Sequence, residues 1–374
     1  MKAKITTFIF LLLLGAITVV NLAVPSKSYS ENENRYLAQM PAFSFSALFD
    51  GSFTTDFESY VTDQFAFRDA WVGVKTISEM ALQKKDSGGV YFAKDHYLIE
   101  MFDSIDQEQY EKNLKHVADF SQRMVSAGLS VHTMLVPTAG SVYRDKLPAY
   151  APEVDQDALF DQAAAIIPGI IDVRETLKNH TAEYLYYRTD HHWTSLGCYY
   201  AYQHWREENE APARALSWYC QEPLTNTFFG TTYSKANLYT AKPDTITAFL
   251  PGDGNKFSVS YNNGQMETNT LYERSYLEKK DKYSVFLNGN QPITKITSEN
   301  KNGKKLLLIK DSYANTFAQF AACDFEEVIL IDLRHYKTSL DNLVEQEGIT
   351  DILILYNMQG FSSDTNLFLL NQNS

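Results

Sequence analysis

Residues 305–309, 327–331 and 351–356 form three short runs, KLLLI, EVILI and DILILY, that are apolar nearly throughout. A strand with one face in water alternates apolar and polar side chains, so a run without alternation belongs inside a sheet covered on both faces, usually a parallel one. Two further runs, 129–136 and 182–187, are apolar or β-branched, and helical patterns over 107–127, 157–179, 195–208 and 314–322 lie between most of the five. The spacing predicts an α/β domain with a mainly parallel sheet flanked by helices. Residues 46–84 carry apolar positions at helical spacing and read as two helices split near 63–68. Between 225 and 303 helical periodicity fades and Tyr, Thr, Asn, Gly and Ser become dense. Residues 231–240, 244–250, 257–261 and 282–289 read there as short antiparallel strands of a β-rich insertion, too long to be one loop.

The first 24 residues do not belong to that domain. Lys2 and Lys4 precede a 20-residue run, 5–24, broken only by Thr6, Thr7, Thr18 and Asn21. A bilayer needs ~20 apolar residues, whereas a secretory h-region has ~7–15, so the run reads as an uncleaved signal anchor crossing the membrane through residues 5–24. The lysines ahead of it place the N-terminus inside the cell and residues 25 onward outside, at the cell surface. Small residues at Ser26, Ser28 and Ser30 leave cleavage and secretion as the alternative. Residues 25–45, polar and with two prolines, read as a stalk, and 46–374 as one domain.

Hydrophobic residues make up 44% of the 374 and charged ones 21%, which excludes disorder, collagen and coiled coil. The formal charge is −13, and an acidic chain without a basic stripe is unsuited to gripping nucleic acid. Three cysteines, Cys198, Cys220 and Cys323, are too few for a disulfide scaffold; at most one bridge, Cys198 to Cys220, is open to them. No cofactor is expected.

In open α/β sheets ligands bind at the carboxyl ends of the strands. The five runs end in Pro137-Thr138-Ala139-Gly140, Arg188-Thr189-Asp190-His191-His192-Trp193, Lys310-Asp311-Ser312-Tyr313, Asp332-Leu333-Arg334-His335 and Asn357. A hydroxyl, an imidazole, a carboxylate to orient it and amide donors together are the set that nucleophilic acyl transfer requires. Ser312 follows a strand and opens a helix; from these letters alone helix capping by Asp311 or Ser312 is the simpler reading. Asp190, two residues before His192, is placed to hold Nδ1–H and leave Nε2 for a substrate, with His191 then pointing elsewhere. Asp190-His191-His192 also has the donor atoms of a metal site, but the other six histidines are scattered and no His-x-x-x-His or Cys pair supports them, so no metal is expected. Arg334 suits an acidic substrate group or a pair with Asp332; Asn357 suits an oxyanion donor or a turn before Gly360.

With these residues assembled, the chain resembles the DHHW protein family, which belongs with the periplasmic alginate O-acetyltransferase-like proteins of SGNH-hydrolase-like, flavodoxin-like fold. The resemblance is carried by Glu33-Asn34-Arg35 with Leu37-Ala38 and Pro41, by 63–69 (DQFAFRD), and by Val136-Pro137 through Lys146-Leu147-Pro148. It continues in Thr189-Asp190-His191-His192-Trp193-Thr194 and in Lys310-Asp311-Ser312-Tyr313-Ala314 with Asp332-Leu333-Arg334. It implies Ser312 as nucleophile, His192 as base and Asp190 as its orienter. It also implies the Tyr313 amide and Asn357 as oxyanion donors, with Arg334, Trp193 and His191 around the substrate. Asn357 follows Leu355-Tyr356 here, not the Gly-x of the wider fold. Relatives with a separate carbohydrate-binding module extend further than Ser374. The implied activity is acetylation of hydroxyls on a cell-surface polysaccharide through an acetyl-serine, beside a membrane-bound O-acyltransferase partner. A carbohydrate acetylesterase with the same triad and a non-catalytic glycan-binding protein are the alternatives. Without Lys2 and Lys4, 31 basic side chains face 46 acidic ones, so a neutral or cationic glycan is a more comfortable acceptor than a strongly anionic one.

Overall fold

The structure, a computed structural model, describes residues 2–30, 35–211 and 213–372; Glu33 and Asn34 of the N-terminal motif and Ser374 lie outside them. Two compact units divide the chain, Met1–Gly88 with Tyr233–Thr240, and Gly89–Thr232 with Ala241–Ser374.

The first unit holds α1 (Lys2–Ala23), α2 (Phe45–Phe49), α3 (Ser52–Asp63) and α4 (Arg68–Ala81). Lys4–Ala23 is long and apolar enough to cross a membrane by length and composition, and none of it is buried against the rest of the molecule. The expected break near 63–68 is present. Phe67 adopts φ 59, a left-handed conformation that cannot continue a helix, and Asp63 is taken up elsewhere. Its carboxylate accepts from both Arg35 Nη atoms, at 2.8 and 2.6 Å, and from the Ala38 amide at 2.8 Å. Gly73 faces Tyr239 so closely that a Cβ would stand 2.1 Å from the ring.

The second unit is built on an eight-stranded sheet. In chain order the strands of the whole unit are β1 (Val90–Phe92), β2 (Leu98–Glu100), β3 (Ser130–Val136), β4 (Ile170–Ile171), β5 (Cys220–Phe228) and β6 (Asp244–Leu250). They continue with β7 (Phe257–Tyr261), β8 (Met266–Thr268), β9 (Ile293–Ser298), β10 (Lys305–Lys310), β11 (Glu327–Ile331) and β12 (Asp351–Asn357). The large sheet runs β8-β7-β9-β11-β10-β12-β3-β4; outside it, β1 pairs antiparallel with β2 and β5 with β6. From β11 to β4 every pairing is parallel, whereas β9, β7 and β8 extend the edge antiparallel, so the sheet is mixed. The apolar runs are covered on both faces as their pattern requires. Leu306 and Leu308 of β10 and Leu353 and Leu355 of β12 pack into one core, Leu307, Ile309, Ile352 and Ile354 into the other. The α-helices here are α5 (Gln107–Ser126), α6 (Ala139–Val142), α7 (Gln156–Ala164), α8 (Arg174–Asn179), α9 (Ser195–Glu208), α11 (Ala318–Asp324), α12 (Leu340–Glu347) and α13 (Met358–Ser363), while α10 (Thr231–Ala236) begins in this unit and continues in the first. α5 contributes Leu114, Val117 and Phe120 to one core; α9 and α11 contribute Tyr202, Trp205 and Phe320 to the other.

Several expectations are corrected. Residues 182–187 form no strand: Tyr186 only bridges to Trp193, and the rings of Tyr186 and Tyr187 are buried in the core, so the apolar signal there is packing. The helical pattern over 157–179 is interrupted by β4, leaving α7 and α8. Residues 231–240 are helical over Thr231–Ala236, and 282–289 contain a 3₁₀ turn, Lys282–Val285, in place of a strand. Much of 225–303 is not a separate insertion but supplies β7, β8 and β9 to the sheet. All three cysteines are free; Cys198 is buried and Cys220 exposed.

Candidate active site

β10 and β12 lie side by side in parallel and end together, Lys310 opposite Leu355. Just past β10, Asp311 accepts from the Tyr313 amide at 2.9 Å through one carboxylate oxygen. The other oxygen accepts from the Asn357 amide at 2.8 Å and from Asn357 Nδ2 at 2.5 Å. One carboxylate therefore locks the turn after β10 to the end of β12. Asp311 is the cap of the 3₁₀ turn Ser312–Asn315, which leaves the Ser312 hydroxyl uncommitted to capping. Ser312 is half-buried while Asp311 and residues 313–316 are buried.

The Ser312 Oγ lies 2.7 Å from His192 Nε2, and His192 Nδ1 lies 2.5 Å from Asp190 Oδ1. With Nδ1–H donated to Asp190, Nε2 is left to accept the serine proton. Asp190 is saturated: Oδ1 also accepts from the His192 amide at 3.0 Å, and Oδ2 from the Thr231 amide and hydroxyl at 2.8 and 3.0 Å. Gly230 must be glycine, since a Cβ there would meet the Asp190 carboxylate at 2.2 Å. Burial opposes ionisation of Asp190, but the facing His192 and His191 and the hydrogen bonds outweigh it and hold the carboxyl well below the usual range. Burial, and then neighbouring His191, push the His192 imidazole below its ordinary value despite Asp190, so it rests neutral, the form a base needs.

The loop carrying Asp190 and His192 is held by residues with no visible signature in the sequence. Asp244, at the start of β6, accepts from the Arg188 amide at 3.0 Å, the Thr189 amide at 2.8 Å, the Thr189 hydroxyl at 2.5 Å and the Tyr184 hydroxyl. Burial pushes its carboxyl up against those four donors. Tyr283 lies flat on His192, ring centroids 3.8 Å apart and 11° between planes, and donates its hydroxyl to the Ser312 carbonyl at 3.0 Å. His191 covers the other part of the ring at 3.9 Å and gives Nδ1 to the Thr231 hydroxyl at 2.6 Å. His191 does not point elsewhere as expected: its Nδ1 is bonded to Thr231 but stays 3.9 Å from Asp190 Oδ1, so both imidazoles face the one carboxylate.

The remaining expected residues divide. Trp193 is fully buried and its Nε1–H is shared by the Tyr313 carbonyl, 2.9 Å, and Thr316 Oγ1, 2.8 Å; it joins the histidine loop to the serine turn and does not reach a substrate. The Tyr313 amide is engaged by Asp311, so it is not available as the oxyanion donor; its hydroxyl donates to the His191 carbonyl. Asn357 spends its amide and one Nδ2–H on Asp311 and caps α13 through Oδ1, keeping one Nδ2–H beside a small cavity lined also by Thr138, Gly140 and His191. The Ser312 amide has no hydrogen-bond partner among the described residues. Arg334 forks onto buried Asp332 through Nε, 2.8 Å, and Nη2, with Lys310 Nζ 3.8 Å from the same carboxylate. Burial lowers the Lys310 ammonium to about 8 and raises the Asp311 carboxyl to about 6. As ligands for a metal, Asp190, His191 and His192 are close enough together, but the Asp190 oxygens and both His192 nitrogens are already spent on each other, Thr231 and Ser312. Those atoms form one hydrogen-bonded chain from Thr231 through Asp190 and His192 to Ser312.

Fold and site together define an α/β protein with a mixed sheet and a serine just past the end of β10 linked to a histidine and an aspartate from a loop. Residues 102–331 match the pattern of the DHHW protein family, and the chain belongs to that family. No curated protein sequence matches it. Among solved structures it is similar to a DHHW family protein from Eubacterium siraeum, 27% identical with TM-score 0.65, covering 77% of this chain and 96% of that one. It is also similar in fold to Bacillus cereus PatB1 with a sulfonyl adduct, 20% identical with TM-score 0.62, covering 75% and 97%.

Proposed function

We propose that this protein is an extracytoplasmic O-acetyltransferase that acylates hydroxyls of a cell-surface polysaccharide through an acetyl-Ser312 intermediate. The observation that carries the reading is the 2.7 Å and 2.5 Å linkage of a half-buried Ser312 to His192 and a fully saturated Asp190. In the first half-reaction the Ser312 proton passes to His192 Nε2 as Oγ attacks the acyl carbonyl, and the imidazolium, steadied by Asp190, returns that proton to the leaving group. The Ser312 amide, with the spare Asn357 Nδ2–H, supplies the donors for the oxyanion. In the second half-reaction a glycan hydroxyl gives its proton to His192, attacks the acetyl carbon, and Ser312 leaves with the proton. The apolar helix Lys4–Ala23 is read as a signal anchor that keeps the enzyme beside a membrane-bound acyl donor system.

The test uses the purified chain with an activated acetyl ester and a sulfonyl fluoride. Turnover and stoichiometric labelling are expected in the parent, and Ser312→Ala and His192→Ala should each lower turnover by at least about 10³-fold. Full activity in both variants sinks the relay. Acetyl appearing on an added oligosaccharide supports transfer; acetate alone makes the protein a carbohydrate esterase, and glycan binding without turnover makes it a binding protein.

A further inference from the structure

The helix α3 buries none of its residues, and neither does α2, yet both carry aromatic side chains. Phe43, Phe45 and Phe49 are 59%, 71% and 87% exposed, and Phe57 and Val61 are exposed as well. These rings are not scattered. Phe45 meets Phe43 at 5.4 Å, Phe43 meets Phe53 at 5.3 Å, Phe53 stacks on Phe57 at 5.9 Å, and Phe57 leans on Tyr60 at 6.1 Å, a continuous aromatic ribbon. On α3, Phe53, Phe57, Tyr60 and Val61 fall at i, i+4, i+7 and i+8, a stripe about 100° wide of the kind that faces an apolar phase.

The ribbon ends where the chain leaves the span. The Tyr60 hydroxyl lies 3.3 Å from Ser26 Oγ, the Lys27 amide donates to Gln64 Oε1 at 2.9 Å, and the Ala66 amide donates to Asn21 Oδ1, inside α1, at 2.8 Å. Three ties thus hold the end of α3 to the last turn of the apolar helix and the residues just after it. Tyr favours the boundary between headgroups and acyl chains, and Phe on the apolar face of an amphipathic helix is buried at the same depth. Between Tyr36 and Phe67 no Lys or Arg occurs, while Asp50, Asp56, Glu58 and Asp63 do, so anionic headgroups are not what would draw this surface down.

We infer that the aromatic ribbon of α2 and α3 lies in the outer interface of the bilayer, bound to lipid by apolar burial without basic residues. The inference rests on reading α1 as a membrane anchor. In the test, the full chain with Cys220→Ser is reconstituted in phosphatidylcholine vesicles and labelled with an environment-sensitive fluorophore at Phe49→Cys or Val61→Cys. Thr55→Cys, on the opposite side of α3, serves as control. Replacing the lipid by its brominated-chain form should remove emission at 49 and 61 but not at 55, with no change on raising salt. Alkaline carbonate extraction of the same vesicles reads the anchor separately. Protein retained with unquenched labels at 49 and 61 overturns the inference and spares the anchor; protein extracted with quenched labels overturns the anchor and supports the ribbon. Quenching equal at all three positions also overturns it, because the stripe would then have no direction.

Discussion

His192 sits between the rings of Tyr283 and His191 with the Asp190 carboxylate on one nitrogen, and its chemistry follows from them. Because burial and His191 hold it below the ordinary imidazole value, it stays neutral as pH drops through the range where a free histidine protonates. Turnover should therefore persist at pH 6 and decline only as pH falls through the lowered value, the base being lost on protonation. A profile with its acid limb at or above the ordinary value of about 6.5 would contradict this. Tyr283 divides into two parts. Tyr283→Phe keeps the ring on His192 and loses the bond to the Ser312 carbonyl, an interaction of about 1 kcal/mol, so kcat should fall by no more than about fivefold. Tyr283→Leu frees the imidazole to leave its rotamer and should cut kcat far more than KM; equal losses in the two variants would show that the stacking is idle. Asp190 and His192 were singled out as candidates by their types and spacing, and Ser312 by its place after an apolar run and by the family resemblance. Tyr283 and Thr231 were not, since each meets the histidine only through folding of distant chain.

The elements differ in how they earn their shape. β10, β11 and β12 carry apolar side chains toward two cores, so their pattern admits only a buried strand. The segment that presents Asp190 has no such support, and its four donors converge on Asp244, 55 residues from Thr189 in the chain. Asp244→Ala leaves those donors buried without an acceptor and should cost about 3 kcal/mol or more in urea unfolding, with a parallel loss of turnover. Asp244→Asn keeps two acceptor lone pairs and should recover part of both. A stable, active Asp244→Ala would mean that the loop holds itself. The apolar run at 182–187 misled because tyrosines buried for packing resemble a strand in one dimension. The run at 231–240 misled for the related reason that Thr and Tyr favour strands on average, whereas this stretch is helical over Thr231–Ala236.

Charge acts over the molecule as a whole. A surplus of acidic side chains repels an anionic acceptor, while the Arg334 and Lys310 cations near Asp332 act only locally. Added salt should therefore lower KM for a uronate-containing oligosaccharide and leave a neutral one unchanged; salt indifference for both would assign the acceptor to the local cations. The α/β class, the apolar N-terminal helix and the placing of a serine after a buried strand follow from local pattern, because burial on two faces and sustained apolarity leave their mark on consecutive residues. Pairing depends on contacts between residues far apart in the chain, and no local pattern records it. The antiparallel extension by β7, β8 and β9, the capture of the Tyr313 amide by Asp311 and the seating of His192 under Tyr283 are all of that kind. A carboxylate or an amide has the same appearance in the sequence whichever partner it finds, and the folded chain alone chooses that partner.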